Sequence, residues 1–332
     1  MPWKGEKNPY YIWLSEIILQ QTRVEQGLPY FLNFKQKYPT VKHLADAPED
    51  DVMKLWQGLG YYSRARNLHE TAKNIQYNLA GNFPSTFADL IKLKGVGDYT
   101  ASAIASFAYG EHRAVVDGNV IRVLARVFGI DLAADTTEGK KKFAALAQDL
   151  IDDKEPGPYN QAIMDFGAVV CTPQNPLCDT CPFQKMCLAY QQNRIEDLPV
   201  KKKKIKVIDR YFNYLIIKNE QHIWIKKRTE SDIWKNLYDL PLLESAKPLK
   251  KNIKAAITEF LGNKEFDITA YSEGFVQLLT HRKIHAQFIE IELKDFKPFK
   301  LDKAQKVKLA ELDNYAFPKT VQVYLQQKQL IK

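Results

Sequence analysis

Cysteine, histidine and methionine are all scarce in this 332-residue chain, at four, six and four residues. Four cysteines are too few, and too tightly grouped, for a disulfide scaffold. No apolar run reaches the roughly 20 residues that a membrane-spanning helix needs. The opening MPWKGEKNPYY lacks the basic-then-apolar plan of a secretory signal. A cytoplasmic protein is expected, and in a reducing compartment clustered cysteines bind metal more often than they pair. Acidic residues also fall short: 39 Asp and Glu against 48 Lys and Arg leave a net charge of +9. Such an excess favours a polyanionic partner, because neutralising phosphates releases counterions. A basic surface that serves only solubility is the plainer alternative.

What is present fits two ordered domains, with 45% hydrophobic and 26% charged residues. Residues 1–190 read as nearly all helical, with apolar residues at helical spacing between Pro and Gly stops. One helix opens at Ala47-Pro48-Glu49-Asp50-Asp51, continues through Trp56 and stops at Gly58 and Gly60. Residues 191–206 are polar, contain Pro199 and the run Lys201 to Lys204, and read as a basic linker. From 207 to 332 the period shifts toward two. Tyr211–Ile217 and His222–Lys226 read as strands joined at Asn219-Glu220, and Phe275–Leu279 with His285–Leu293 as a second hairpin. Helices are expected at Lys250–Leu261 and Pro318–Gln329. The fold class is therefore a mostly α domain followed by a smaller α+β domain.

All four cysteines fall in one window: Cys171, Cys178, Cys181 and Cys187, spaced C-x6-C-x2-C-x5-C. Four thiolates suit either tetrahedral zinc or a cubane iron–sulfur cluster, and spacing alone does not choose. With no open coordination position, the site holds the fold together rather than performing chemistry.

Three other stretches carry candidate chemistry. Leu93-Lys94-Gly95-Val96-Gly97-Asp98-Tyr99 lies between two helical patterns, and its glycines permit a tight hairpin whose following helix offers amides to a phosphate. Asp117 and Asn119, in VDGNV, sit where a helix cap is expected, and capping alone explains them. The stretch Pro9 to Thr22 reads as a strongly apolar helix in which Glu16 has Ile12 and Trp13 one turn before it and Leu19 and Gln20 one turn after. A carboxyl in that company is desolvated, and its pKa rises toward a value useful to a general acid. The alternative is a glutamate that reaches solvent at the helix edge.

Together, WLSEIILQQT, LWQGLGYYSRARN, LKGVGDYTA, VDGNV and the cysteine spacing resemble the helix–hairpin–helix DNA glycosylases with an iron–sulfur cluster, and among them the MutY-type adenine glycosylases. The resemblance runs from about Trp3 to Ile331. It implies a helix–hairpin–helix glycosylase domain with a [4Fe–4S] cluster loop and a Nudix-like carboxy-terminal domain. The partner it implies is double-stranded DNA containing adenine opposite 8-oxoguanine or guanine. No membrane partner is expected, and the protein should work as a monomer associated with the nucleoid through DNA. Matched by motif, Glu16 is the general acid that protonates adenine's ring nitrogen seven. Asp117 stabilises the sugar cation, and Tyr99 and Asn119 position the two acids. Gln21 and Tyr61 match residues that enter the duplex, while Gly95, Val96 and Gly97 form the DNA-binding hairpin. Trp3, Lys4 and Gln161 match the adenine pocket, with Lys4 in place of the family's usual arginine. Leu279, Thr280 and His281 match the loop that senses 8-oxoguanine, with Leu279 in place of an aromatic.

Bifunctional relatives such as endonuclease III carry a nucleophilic lysine where this sequence has Tyr99, and a phenol cannot form the Schiff base that strand cleavage needs. The carboxy-terminal domain lacks the acidic helix that holds magnesium in Nudix hydrolases, so pyrophosphatase activity is not expected. Family members have a helix ahead of the tryptophan motif, whereas Met1 stands directly before Pro2-Trp3 here, so part of the first domain's packing is expected to be missing. Two other functions compete. One is a pyrimidine or mismatch glycosylase of the same superfamily, which Tyr99 and the second domain disfavour. The other is a catalytically silent iron–sulfur DNA-binding protein, for which an acid in an apolar helix has no purpose.

Overall fold

A computed structural model describes residues 4–202, 207–249, 253–262, 264–294 and 304–332. The chain divides into two compact units, one made of residues 1–46 and 67–204, the other of 47–66 and 205–332. Trp3, Lys203 and Lys204 lie outside the described residues.

The first unit is helical. Helix α1 spans Pro9–Leu19, with the Asn8 side chain capping the Tyr10 amide and Pro9 at the first position, where a missing N–H costs nothing. Eight of its eleven residues are buried, on every side, so it is an interior helix rather than a surface one. It ends three residues earlier than its apolar pattern suggests: Gln20 is the C-cap, and Gln21 takes a left-handed backbone at φ 56. Helices α2 (Val24–Lys37), α3 (Asp98–Tyr109), α4 (Gly118–Val127), α5 (Thr137–Leu150) and α6 (Pro156–Val169) follow. Val120, Leu124 and Ala125 of α4 pack on Phe143 and Ala147 of α5, and Cys187, Ala189 and Leu198 close the same core. Within 191–206, therefore, Leu198 is a core residue.

The second unit is built on sheets. Among the described residues, β1 (Ile208–Ile217), β4 (Leu242–Ser245), β5 (Phe266–Tyr271), β6 (Phe275–Leu278) and β7 (Arg282–Leu293) form one sheet in the order β4-β1-β7-β5, with β6 also paired to β7. Strands β2 (His222–Lys227), β3 (Tyr238–Asp239) and β8 (Ala304–Lys308) form a second, in the order β3-β2-β8. The expected hairpin of β6 and β7 is present as an antiparallel pair. The expected pairing of β1 with β2 is not. A turn forms, with the Asn219 amide donating to the His222 carbonyl, but among the described residues only one bridge, Lys218 to Ile223, links the arms. Beyond it β1 pairs in parallel with β7 and β2 pairs with β8. The reason is burial on both faces: Phe212 to Ile217 are all buried, and a strand buried on both sides takes an inner place in its sheet. Helices α7 (Ile253–Leu261) and α8 (Lys319–Gln327) complete the unit, and Ile253, Ile257 and Leu261 pack on Leu215, Ile289 and Ile291.

Candidate active site

Because α1 is buried on all sides, its one acid is carried inward: Glu16 is 8% exposed. The solvent-reaching alternative is excluded. Burial pushes its carboxyl up to about 7, a hydrogen bond from Tyr99 pulls it back, and the charge of Asp117 raises it further. Tyr99 stands in the first turn of α3. Burial, followed by the charges of Glu16 and Asp117, drives its phenol well above the ordinary range, so the hydroxyl keeps its proton and donates a hydrogen bond to Glu16. At the end of α1, Gln20 Nε2 donates to Thr100 Oγ1 at 3.1 Å, which ties α1 to α3 beside this contact.

Asp117 is the N-cap of α4. Its Oδ1 accepts from the Asn119 and Val120 amides, each at 2.8 Å, and its Oδ2 accepts from Asn119 Nδ2 at 2.7 Å. Capping and a fixed functional carboxylate are thus the same arrangement, since each cap bond also removes a rotational freedom of the acid. Asn119 is itself held: its Oδ1 accepts from Arg122 Nη2 at 2.9 Å. Arg122 also donates to the Cys171 carbonyl at 2.7 Å and the Gly167 carbonyl at 2.6 Å. Gly167 permits this closeness, because a Cβ there would lie 2.7 Å from Asn119 Cβ and 2.9 Å from the Asn119 carbonyl oxygen. Nothing local in the sequence marks Arg122 or Gly167, and their roles emerge only when α4 and α6 pack.

The hairpin residues fold as a tight turn. Gly95 has φ +76, and a Cβ on it would strike the Asn67 side chain at 2.7 Å. Val96 points inward, 6% exposed, and its amide is spent on the Leu93 carbonyl. Gly97 caps α3, whose first-turn amides face outward with no partner inside the helix. Gly97 and Tyr99, with Gln20, Arg113, Lys140 and Lys141, line a cleft of about 690 Å³. Three cations beside a helix start form an anion-attracting surface.

Lys4 and Gln161, two of the three residues matched to a base pocket, converge on one side chain absent from the sequence reading. Asp165 Oδ2 accepts from Lys4 Nζ at 2.6 Å and Asp165 Oδ1 from Gln161 Nε2 at 3.0 Å.

Cys171, Cys178, Cys181 and Cys187 are free thiols that ring one small cavity with Arg126, Phe166, Val170 and Phe183. Burial, then the charges of the other three sulfurs, pushes the Cys178 thiol up, so the four stand within electrostatic reach of one another. Among the described residues no three His, Cys, Asp or Glu side chains close tightly enough for a single metal ion. A ring of thiols about a cavity would suit a multi-atom cluster, with these four side chains as its ligands. Buried Arg126 ties the loop down, donating to the Thr172 carbonyl at 2.7 Å and approaching Cys171 Sγ at 3.5 Å.

In the second unit, Leu279, Thr280 and His281 form the tip between β6 and β7, closed by the Leu279 amide on the Arg282 carbonyl. Thr280 and His281 are exposed, and Tyr61 Oη lies 2.8 Å from Thr280 Oγ1. These residues, with Arg66, Asp232 and Trp234, line a cleft of about 660 Å³. Tyr61, like Gln21 in the first unit, holds a left-handed backbone, at φ 46. Such strain in a bulky residue is uncommon and gathers where a side chain must be aimed.

The geometry has counterparts among known proteins. Residues 14–151 match the HhH-GPD superfamily base excision DNA repair proteins, 171–187 the iron–sulfur binding domain of endonuclease III, and 213–327 a NUDIX domain. The adenine DNA glycosylase of Buchnera aphidicola subsp. Schizaphis graminum is 35% identical, with 98% of this chain and 93% of that protein covered. This chain belongs to the adenine DNA glycosylase family. The human adenine DNA glycosylase is 44% identical over 60% of this chain and 38% of its own length. A thermostable thymine-DNA glycosylase shares the fold at TM-score 0.54 and 29% identity, over 58% of this chain and 88% of its own. Endonuclease III in a non-covalent DNA complex shares the fold at TM-score 0.51 and 23% identity, over 57% and 86% of the two chains. Membership makes the protein a DNA glycosylase of base excision repair, with a Nudix-like second domain and a [4Fe–4S] cofactor in the cysteine segment. Among the described residues, no helix is long and apolar enough to cross a membrane.

Proposed function

We propose that this enzyme removes adenine mispaired with 8-oxoguanine or guanine and leaves the strand intact. The observation that carries the reading is Glu16: an acid buried in an apolar helix, brought to about 7, hydrogen-bonded to a phenol and within reach of a second carboxylate. Glu16 in its protonated form donates to ring nitrogen seven of the extruded base, so that neutral adenine departs. Asp117, held on three bonds, faces the cation that develops at the sugar, and two carboxylates about a glycosidic bond supply acid and charge stabilisation. Tyr99 keeps Glu16 in place, Asn119 keeps Asp117, and both acids come from one chain, so a monomer suffices. Phosphates bind at Gly95 to Gly97, while Gln21 and Tyr61 enter the duplex. Leu279, Thr280 and His281 read the base opposite adenine. Residues 1–190 carry catalysis, 191–206 link, and 207–332 recognise the lesion, acting on the cytoplasmic nucleoid.

Cys171, Cys178, Cys181 and Cys187 hold the cluster, whose four protein ligands leave it a structural clamp for the loop. The reading is tested with a duplex carrying adenine opposite 8-oxoguanine or guanine. Free adenine should appear, with strand breaks only after alkali. Release of a pyrimidine instead, or a borohydride-trapped adduct during turnover, overturns it.

A further inference from the structure

Gln161 and Asp165 lie one turn apart on α6, and the direction of the bond between them is fixed by chemistry. An ionised carboxylate only accepts, so Gln161 must turn its NH2 toward Asp165. Its Oε1 then has no partner among the described residues and stays available. The same carboxylate draws in Lys4 Nζ through its other oxygen, at 2.6 Å. Asp165 thus sets one acceptor and one cationic donor side by side.

We propose that Asp165 is a positioning residue that fixes the hydrogen-bond polarity of the base pocket, selecting a purine with an amino group at carbon six. The proposal rests on the adenine reading above. Adenine offers an N6–H donor beside the N1 acceptor on its Watson–Crick edge, which complements a free Oε1 and an ammonium and leaves N7 to Glu16. A 6-oxo purine such as hypoxanthine puts an oxygen opposite Oε1, and two acceptors meet. In Asp165→Asn the new amide can donate to Gln161 Oε1, the Gln161 side chain turns over, and its NH2 now faces the base. The acceptor is lost and the preference for the amino group goes with it.

Single-turnover excision is measured on two duplexes, deoxyadenosine or deoxyinosine opposite 8-oxoguanine, for the cluster-loaded parent and Asp165→Asn, Asp165→Glu, Gln161→Leu and Gln161→Leu/Asp165→Asn. The parent should favour adenine. The adenine-to-hypoxanthine rate ratio should fall about tenfold or more in Asp165→Asn, the scale of one misdirected base contact, and recover in Asp165→Glu. In the Gln161→Leu background, Asp165→Asn should change the ratio no further. A purely structural role lowers both rates together, so an unchanged ratio in Asp165→Asn overturns the proposal alone. A ratio that still falls when Gln161 is already leucine overturns it as well, since the effect then bypasses Gln161. A parent that excises neither base overturns the adenine reading and the proposal with it.

Discussion

Among the described residues, each unit buries one carboxyl raised to about 7, and the two are built differently. In the helical unit, burial raises Glu16 to about 7, the Tyr99 hydroxyl pulls it back, and the charge of another acid, Asp117, raises it further. In the sheet unit, burial raises Asp239 to about 7, but its neighbours pull down. Arg228 Nη1 donates to it at 2.9 Å, the Leu240 amide at 3.1 Å and the Tyr214 hydroxyl at 3.5 Å. Arg228 is shared with Asp232, and Arg210 bridges Asp232 and Glu244. Asp239 sits in a network of donors, a guanidinium among them, that ties β3 to Arg228 and Tyr214. Glu16 has a single hydroxyl, that of Tyr99, set against burial and a second acid. A perturbed pKa therefore does not mark a catalytic group by itself; the sign of its neighbours does.

The largest expected effect is on chemistry. Glu16→Gln removes the donated proton, and general acid catalysis is worth roughly a hundred- to ten-thousand-fold, so single-turnover excision should fall by that much. Asp117→Asn should fall comparably while folding normally, because asparagine caps a helix as well as aspartate. DNA affinity should persist in both, since phosphate contacts dominate it. In the parent, the rate should be level below about pH 7 and fall about tenfold per unit above it, as the acid loses its proton. Rate and affinity falling together in either variant would make these residues structural.

Asp239→Asn should leave excision chemistry alone and cost stability, about 3 kcal/mol, by taking from Arg228 one of its two carboxylates and turning an amide NH2 either toward Arg228 and Tyr214 or toward the Leu240 N–H. Chemical denaturation of the second unit measures this; a loss below about 1 kcal/mol breaks the contrast drawn with Glu16. Glu16→Gln should do the reverse. A folded-state pKa raised above the unfolded value gives stability that is full below pH 4.5 and lost as pH rises through about 7. Glutamine has no charge to bury, so the variant should gain on the parent as pH rises from about 4.5 to about 7 and keep that gain above it, by up to about 3 kcal/mol. Melting curves that run parallel across that range would remove the buried charge from the account.

Glu16 was legible because its environment is local: residues three and four positions away on one helix already bury it. The cysteine window and the hairpin of β6 and β7 were legible for the same reason. What escaped is what only packing creates. Asp165 looks like any half-exposed helical acid until Lys4 and Gln161 reach it from 161 and 4 residues away. Gly167 reads as a defect in a helix until α4 lies against it. Strands β1 and β2 carry a convincing hairpin pattern, and their separation into two sheets depends on β7 and β8, which arrive more than 60 residues later. Pattern assigns the strand; distant burial assigns its partner.

The smallest expected effect lies at the tip where Tyr61 meets Thr280. Both side chains belong to the second unit, and their hydroxyls, 2.8 Å apart, are each exposed. A hydrogen bond between exposed groups adds little to stability, about 1 kcal/mol or less, so Thr280→Ala should scarcely move the melting temperature. Its consequence is aim. Tyr61 is held at φ 46, a strained backbone for an aromatic residue, and Thr280 is the partner its hydroxyl finds. Thr280→Ala frees the phenol and removes a hydroxyl from the cleft proposed to read the opposing base. Preference for 8-oxoguanine over guanine opposite adenine should drop about fivefold, one neutral hydrogen bond's worth. His281→Ala should add to it, and excision of adenine opposite guanine should hold steady. Equal losses on both substrates would make the tip a DNA-binding element without lesion selectivity, and the sheet unit would then serve affinity alone.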